Sequence, residues 1–133
     1  MSNRVIKFRG LHGLKWVYGS LIRKLNPHKV EDETWCYLIH DGALSAVEVT
    51  PESVGQFTGL LDKNRKEIYE GDVIEVENDG SDQICTVEWN TGQWLLMDNL
   101  GGSWTRQLYH QPHRLKILGN IYENPDLLKP QQE

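Results

Sequence analysis

The chain has 133 residues, of which 38% are hydrophobic and 25% charged, the length of one domain or two very small β subdomains and the composition of a globular protein. No apolar run approaches the roughly 18–20 residues of a membrane-spanning helix, and the N-terminus lacks the apolar segment of a secretory signal. We therefore expect a soluble cytoplasmic protein with no membrane partner.

Charge is unevenly distributed along the chain, whose formal net charge is −5. The first thirty residues hold seven basic and no acidic side chains, whereas the remainder, with seven basic and 19 acidic residues, carries a net charge of −12. Such asymmetry permits a basic face for nucleic acid, or attraction between the two halves within the fold or between subunits. We favour the second, because phosphate repels a protein that is acidic as a whole.

The first predicted elements form a β-hairpin. Alternation predicts a strand over residues 5–9, ended by Gly10, and a second strand over residues 15–19 after a turn at Gly13. Periodicity does not decide whether residues 21–25 extend the second strand or form one helical turn.

Two further strands precede a single helical turn. After a polar loop at residues 27–34, strands are predicted over residues 35–39 and 47–49. Thr50 is then expected to cap one turn of helix, with Pro51 at its first position.

The densest turn signals lie in residues 54–76. A polar turn over residues 62–66 is followed by a short returning strand at residues 67–69 and an alternating strand at residues 73–76. Three residues are assigned structural roles in turns: Gly59, Gly71 and Asp72. We expect Asp72 to fix its turn by accepting a hydrogen bond from a backbone amide.

Short strands separated by tight turns continue to residue 122. After a hairpin turn at residues 78–81, strands are predicted over these ranges: 83–90, 94–97, 103–109 and 114–122. Gly119 is the expected bend or bulge of the last strand. A short helix follows, with Asn124 as its cap and Pro125 at its first position.

These elements predict an all-β protein, mainly strand with one or two short helical turns. We divide it into an N-terminal β subdomain over residues 1–53 and a C-terminal SH3-like small barrel over residues 54–128. Residues 129–133 are expected to form a frayed tail.

No pattern in the sequence predicts catalysis, a metal site or a cofactor. His110 and His113 have a ligand-like spacing, but Pro112 between them favours a loop and two further ligands are lacking. Neither a nucleophile motif nor a phosphate-binding glycine loop is present. Cys36 and Cys85 lie far apart in a chain without an export signal, so we expect reduced thiols and no disulfide. We accordingly expect a protein that is not an enzyme.

Basic and aromatic residues interleave in the N-terminal hairpin, as they do in proteins that bind single-stranded nucleic acid. Rings such as Phe8, Trp16 and Tyr18 could stack on bases, or they could form the hairpin core while the basic side chains point outward; alternation favours the core. The candidate nucleic-acid contacts are Lys7, Arg9, Lys15, Arg23 and Lys24.

Several segments resemble the YopX family of phage and prophage proteins. The similar blocks are IKFRG at residues 6–10, KWVYG at 15–19, GQFTGL at 55–60, DKN at 62–64, KEIYEGDVI at 66–74, VEW at 87–89 with Gly92, and LGNIYENPDLL at 118–128. Two residues depart from the family pattern. Arg65 stands where the family usually has glycine, so we expect any positive φ in that turn to fall on Asn64. Leu61 replaces a residue that is usually polar.

The resemblance implies a mainly β protein whose C-terminal half is an SH3-like barrel. It also implies a bacteriophage or prophage origin and a place in the bacterial cytoplasm, with no established activity or catalytic residues to carry over. Our leading hypothesis is a non-enzymatic protein that binds a macromolecule, and we favour another protein as its partner. The alternatives are nucleic-acid binding through the basic hairpin and, third, a metal-dependent enzyme; self-association is compatible with the first.

Overall fold

The computed structural model describes residues 4–25, 35–43, 45–77, 82–98, 105–108 and 112–128, and shows an all-β protein, as predicted. The predicted loop at residues 27–34, the hairpin turn at 78–81 and the tail at 129–133 lie outside these ranges. The strands are β1 (Phe8–His12), β2 (Lys15–Leu25), β3 (Trp35–His40), β4 (Ala46–Val49), β5 (Gly55–Leu61), β6 (Glu67–Tyr69), β7 (Asp72–Val76), β8 (Gln83–Asn90), β9 (Gln93–Asp98), β10 (Thr105–Gln107) and β11 (Leu115–Asn120). Short 3-10 helices occupy Pro51–Ser53, Pro112–Arg114 and Pro125–Leu128.

The chain divides into two compact units, Met1–Phe57 and Thr58–Glu133. The first unit contains β1 to β4 and the first residues of β5, and the second contains the rest of β5 and all later strands. The sequence placed a boundary slightly earlier, after residue 53.

In the first unit the strands follow the order β4-β3-β2-β1-β5, and each measured pair is antiparallel. The prediction of a strand at residues 5–9 ended by Gly10 was wrong, because β1 runs through Gly10 to His12. Gly10 is buried within the strand, where an added Cβ would lie 2.9 Å from the Cβ of Val49. The glycine therefore serves close packing between strands and not a turn.

The long strand β2 settles the alternative left open for residues 21–25, which extend the strand and form no helical turn. Its first half pairs with β1 and its second half with β3. At the junction, Gly19 has φ 154° and leaves no room for a Cβ, which would collide with the backbone carbonyl of His40.

The turn of helix at Pro51–Ser53 is present with Pro51 at its start, as predicted. Thr50 occupies the cap position, as predicted, but its side chain makes no cap hydrogen bond. Buried Ser53 holds this segment instead: its Oγ donates to the Thr50 carbonyl at 2.6 Å and accepts from the Leu11 amide at 2.7 Å.

In the second unit, five antiparallel strands follow the order β10-β9-β8-β7-β11. The strand pairs within the described ranges do not close this sheet into a barrel, so the SH3-like barrel stays a prediction. The bulge in β11 was correctly predicted: the register shifts between Ile117 and Gly119 opposite β7.

Alternation along β8 directs side chains into the core of this unit. Cys85 and Val87, which share one face of β8, are both fully buried. The core cluster consists of Ile68, Ile74, Val76, Cys85, Val87, Leu96, Leu108 and Leu115. At about 25 cal/mol per Å² of buried apolar area, side chains of this size each contribute roughly 1.5–3 kcal/mol.

Candidate functional site

Asp62 organises the polar turn that follows β5. Its buried carboxylate accepts hydrogen bonds from the amides of Asn64 at 2.8 Å, Lys66 at 2.9 Å and Ile117 at 3.1 Å. Its own amide donates to the Lys66 carbonyl at 2.8 Å. A carboxylate with three backbone donors is well satisfied despite its burial, so we assign Asp62 a structural role.

The positive φ expected at Asn64 lies at Arg65, whose φ is 63°, so that prediction was wrong. The network around Asp62 explains the placement, because its Oδ1 binds the amides on both sides of Arg65 and its carbonyl accepts from the Arg65 amide at 3.0 Å. These bonds fix the path of the turn, and the residue between the two bound amides must adopt the left-handed conformation. Non-glycine residues rarely do so.

The three residues assigned to turns have distinct surroundings. Gly59 has φ 89° and lies inside β5, with open space where a Cβ would be. Gly71 also has φ 89°, and a Cβ there would lie 3.1 Å from the ring of Tyr122. The buried Asp72 accepts a hydrogen bond from the Tyr69 amide at 2.8 Å.

The turn at residues 62–66 contains three basic residues, and two more lie on either side of Leu115. We call this set the basic corner: Lys63, Arg65, Lys66, Arg114 and Lys116. The Lys63 amide donates to the Leu115 carbonyl at 2.8 Å, which places the turn beside the start of β11. Lys63 also donates from Nζ to Glu77 Oε1 at 3.0 Å. This hydrogen bond, and then the charge of Lys63, lower the pKa of Glu77, and the same pair raises the pKa of Lys63.

Two of the candidate nucleic-acid contacts, Arg9 and Lys7, pack against aromatic rings of the first unit. The Arg9 guanidinium lies 4.6 Å from the centroid of the Trp16 ring, and Arg9 is only 6% exposed. The Lys7 ammonium lies 5.6 Å from the centroid of the buried Phe57 ring. Such cation–π contacts use the ring faces that a base would need for stacking.

The third such contact lies at the far end of β2. The Arg23 guanidinium is 3.8 Å from the centroid of Trp35, whose side chain is 38% exposed. Leu25 is 53% exposed and pairs directly with Trp35 in the β2–β3 register. Because alternate residues of a strand share a face, all three side chains lie on one face of this ladder.

The five candidate nucleic-acid contacts do not form one patch. Lys15 lies at the start of β2, eight residues before Arg23, or roughly 26 Å along an extended strand. Lys24 is exposed but on the face opposite Arg23. With Arg9 buried as well, the basic residues are distributed along and across the sheet.

Sequence reasoning missed two arrangements that the structure reveals. One is the basic corner, whose available signal was a turn with three basic residues and no glycine. The other is an aromatic pair at the β8–β9 hairpin, where Trp89 and Trp94 are register partners with ring centroids 4.8 Å apart and an interplanar angle of 65°. Trp89 is 51% exposed.

The remaining features to place are metal ligands, cysteine thiols and membrane-spanning helices. In the described part of the chain, no three His, Cys, Asp or Glu side chains gather where they could hold a metal ion. Cys36 is half-buried and Cys85 buried, and in the described part of the chain neither forms a disulfide. Among the described residues, no helix has the length and apolar character needed to cross a membrane.

Comparison with known proteins identifies the family. The family model described as YopX protein matches residues 7–129. The chain belongs to the YopX family. A search of curated proteins found no match.

Two solved structures share the fold of this YopX chain. The crystal structure of protein YopX from Bacillus subtilis aligns with a TM-score of 0.57 at 16% identity, covering 92% of this chain and 98% of that one. Protein EF1440 from Enterococcus faecalis aligns with a TM-score of 0.55 at 19% identity, covering 96% and 100%. At these identities the likeness concerns the fold alone.

Proposed function

We propose that this YopX protein is a non-enzymatic protein-interaction module. It is encoded by a phage or prophage and acts in the bacterial cytoplasm. Its partner binds the face formed by Arg23, Leu25 and Trp35, which we call the Trp35 patch. The observation that carries the proposal is the stacking of Arg23 on the half-exposed Trp35 beside the exposed Leu25.

The composition of the Trp35 patch suits a protein partner. Tryptophan and arginine are enriched among the residues that dominate binding energy at protein interfaces. The contact between Arg23 and Trp35 holds both long side chains in place before binding, which lowers the entropy lost on association. Leu25 adds apolar surface that a phosphate backbone would leave exposed.

The surroundings of the basic residues weaken the nucleic-acid alternative. Arg9 and Arg23 already cover the rings of Trp16 and Trp35, so a base would have to displace a cation in order to stack. The formal net charge of −5 opposes approach of a polyanion.

The test is capture of a partner by the full-length protein compared with its Trp35→Ala and Arg23→Ala variants. We expect capture to weaken about 30-fold or more with Trp35→Ala, because a hot-spot residue contributes about 2 kcal/mol or more. Trp89→Ala is the matched control, since it removes an exposed tryptophan from the second unit. Before the capture assay, each variant is shown to have an unfolding midpoint close to that of the wild type.

Three outcomes would contradict the proposal. The first is the absence of a specific partner, and the second is equal capture by the wild type and Trp35→Ala. The third is binding of single-stranded DNA or RNA at about 50 mM salt that is lost in Arg23→Ala, which would favour the nucleic-acid alternative. Sedimentation of the isolated protein shows whether the partner is a second copy of this chain.

A further inference from the structure

We propose that the turn after β3 is a site of spontaneous covalent modification, at which Asp41 converts to isoaspartate with His40 as the base. The turn has the sequence His40-Asp41-Gly42-Ala43, and its last three residues are exposed to water. An aspartate followed by glycine is prone to this reaction, because glycine has no side chain to hinder the approach of its amide nitrogen. The inference concerns a different part of the chain from the Trp35 patch and does not rest on the proposed function.

A hydrogen bond places the base on the nitrogen that must react. The Gly42 amide donates to Nδ1 of His40 at 3.1 Å. Because a backbone amide can only donate, Nδ1 is the unprotonated nitrogen of the ring, and its lone pair accepts the amide N–H. A base must lie within hydrogen-bond reach of the proton that it removes, and His40 meets this requirement.

A second hydrogen bond positions the carboxyl group. Oδ1 of Asp41 accepts from the Ala43 amide at 2.8 Å, which folds the side chain back along the following backbone. The carboxyl carbon and the nitrogen that attacks it are thereby held in one tight turn. The Ala43 amide also stabilises the negative charge that develops on Oδ1 during the attack, as the donors of an oxyanion hole do.

The reaction needs no reactant besides water, and nothing is oxidised or reduced. When the Asp41 carboxyl group is protonated, the Gly42 nitrogen forms a bond to the carboxyl carbon while Nδ1 of His40 removes the amide proton. His40 passes that proton to the Oδ2 hydroxyl, which leaves as water, and Oδ1 remains on a five-membered succinimide. Water then opens the ring at the side-chain carbonyl to restore aspartate, or at the main-chain carbonyl to give isoaspartate.

Isoaspartate changes the path of the loop but not its charge. The main chain then runs through the side-chain carbons of residue 41, which makes it one carbon longer between His40 and Ala46, register partners in β3 and β4. The free carboxylate moves to the other branch of the residue. Because mass and charge are both unchanged, the reaction is detected by labelling the water that opens the ring.

The experiment incubates the full-length protein at neutral pH in water enriched in heavy oxygen, since each opening of the succinimide adds one oxygen atom from water. Peptide mass spectrometry measures the label in the fragment that contains residue 41, and electron-transfer fragmentation distinguishes isoaspartate from aspartate. We expect His40→Gln to label this fragment about tenfold more slowly. The loss is smaller than the roughly 10²–10⁴-fold effect of bases in enzymes, because water also reaches this exposed amide.

His113→Gln is the matched control, because it removes an exposed histidine from the second unit, and it should label residue 41 at the wild-type rate. The wild type and His40→Gln are also incubated unfolded in urea, where their rates should be nearly equal because the turn geometry is lost. The folded wild type should label faster than the same protein in urea, a comparison that needs no variant.

Three outcomes would overturn the inference. The first is a folded wild type that gains no label at residue 41 or gains it no faster than in urea. The second is an equal rate in the folded wild type and folded His40→Gln. The third is a difference between these two proteins that persists at the same size in urea, which would assign the effect of histidine to the local sequence and not to the hydrogen bond with Gly42.

Discussion

Replacing Arg65 by glycine should stabilise the protein. The residue has φ 63° in a turn whose other hydrogen bonds involve Asp62 and the backbone. Glycine adopts this conformation without steric cost, and no described contact of the Arg65 side chain would be lost. The substitution therefore changes the backbone energy of one residue and little else.

The magnitude is the difference between two opposing effects. Relief of the left-handed conformation is worth about 1–2 kcal/mol for a residue with a Cβ. Glycine also makes the unfolded chain more flexible, which costs about 0.4–1 kcal/mol. The net expectation is a rise of about 0.5–1 kcal/mol in the free energy of unfolding, or roughly 2–4 °C in melting temperature for a chain of this length.

The assay is urea unfolding followed by tryptophan fluorescence, with Asn64→Gly as the matched control. Asn64 has a negative φ, so glycine there brings only the flexibility of the unfolded chain and should lower stability by about 0.5–1 kcal/mol. We therefore expect changes in the free energy of unfolding of opposite sign at these two adjacent positions. If Arg65→Gly were as stable as the wild type or less stable, or if both variants moved in one direction, our account of the turn would be wrong.

Three further predictions concern other turns and one ion pair. Thr91→Asn should raise the free energy of unfolding by about 0.5–1 kcal/mol in a urea titration, because Asn accepts the positive φ of this hairpin turn better than a β-branched residue. Gly71→Val should cost roughly 3 kcal/mol, from its φ of 89° and the nearby ring of Tyr122; an unchanged melting temperature would contradict this. Lys63→Met should raise the pKa of Glu77 towards its ordinary value, as measured by NMR titration of the carboxyl carbon. In the wild type, the stability contributed by this pair is present above the ordinary carboxyl pKa and is lost as pH falls through the lowered pKa.

Strand and turn positions were predictable where the deciding interactions are local. The tight turn at Thr91 and the bulge near Gly119 follow from glycine within short strand patterns. Gly10 shows the limit of this reasoning. It was interpreted as the end of a strand, but it lies inside β1 because Val49, distant in sequence, packs against it. A single sequence does not reveal such a contact.

The candidate sites depended still more on tertiary structure. Local preference favours asparagine over arginine for a positive φ, yet the amides bound by Asp62 decide that Arg65 adopts it. The stacking of Arg23 on Trp35 depends on the register of β2 against β3, which the sequence alone does not specify. The basic residues were visible in the sequence, whereas their separation onto different faces was not.

The hydrogen bond from the Ile117 amide to Asp62 joins residues 55 positions apart, and this separation bears on the order of folding. During synthesis the turn at residues 62–66 leaves the ribosome well before β11. One of its three carboxylate bonds and the pairing of β7 with β11 must wait until residues 115–120 have been made. Closing such long loops costs entropy before the contacts form, and that slows folding. The second unit should thus reach its native state only after β11 has been synthesised, with β7 presenting an unpaired edge until then.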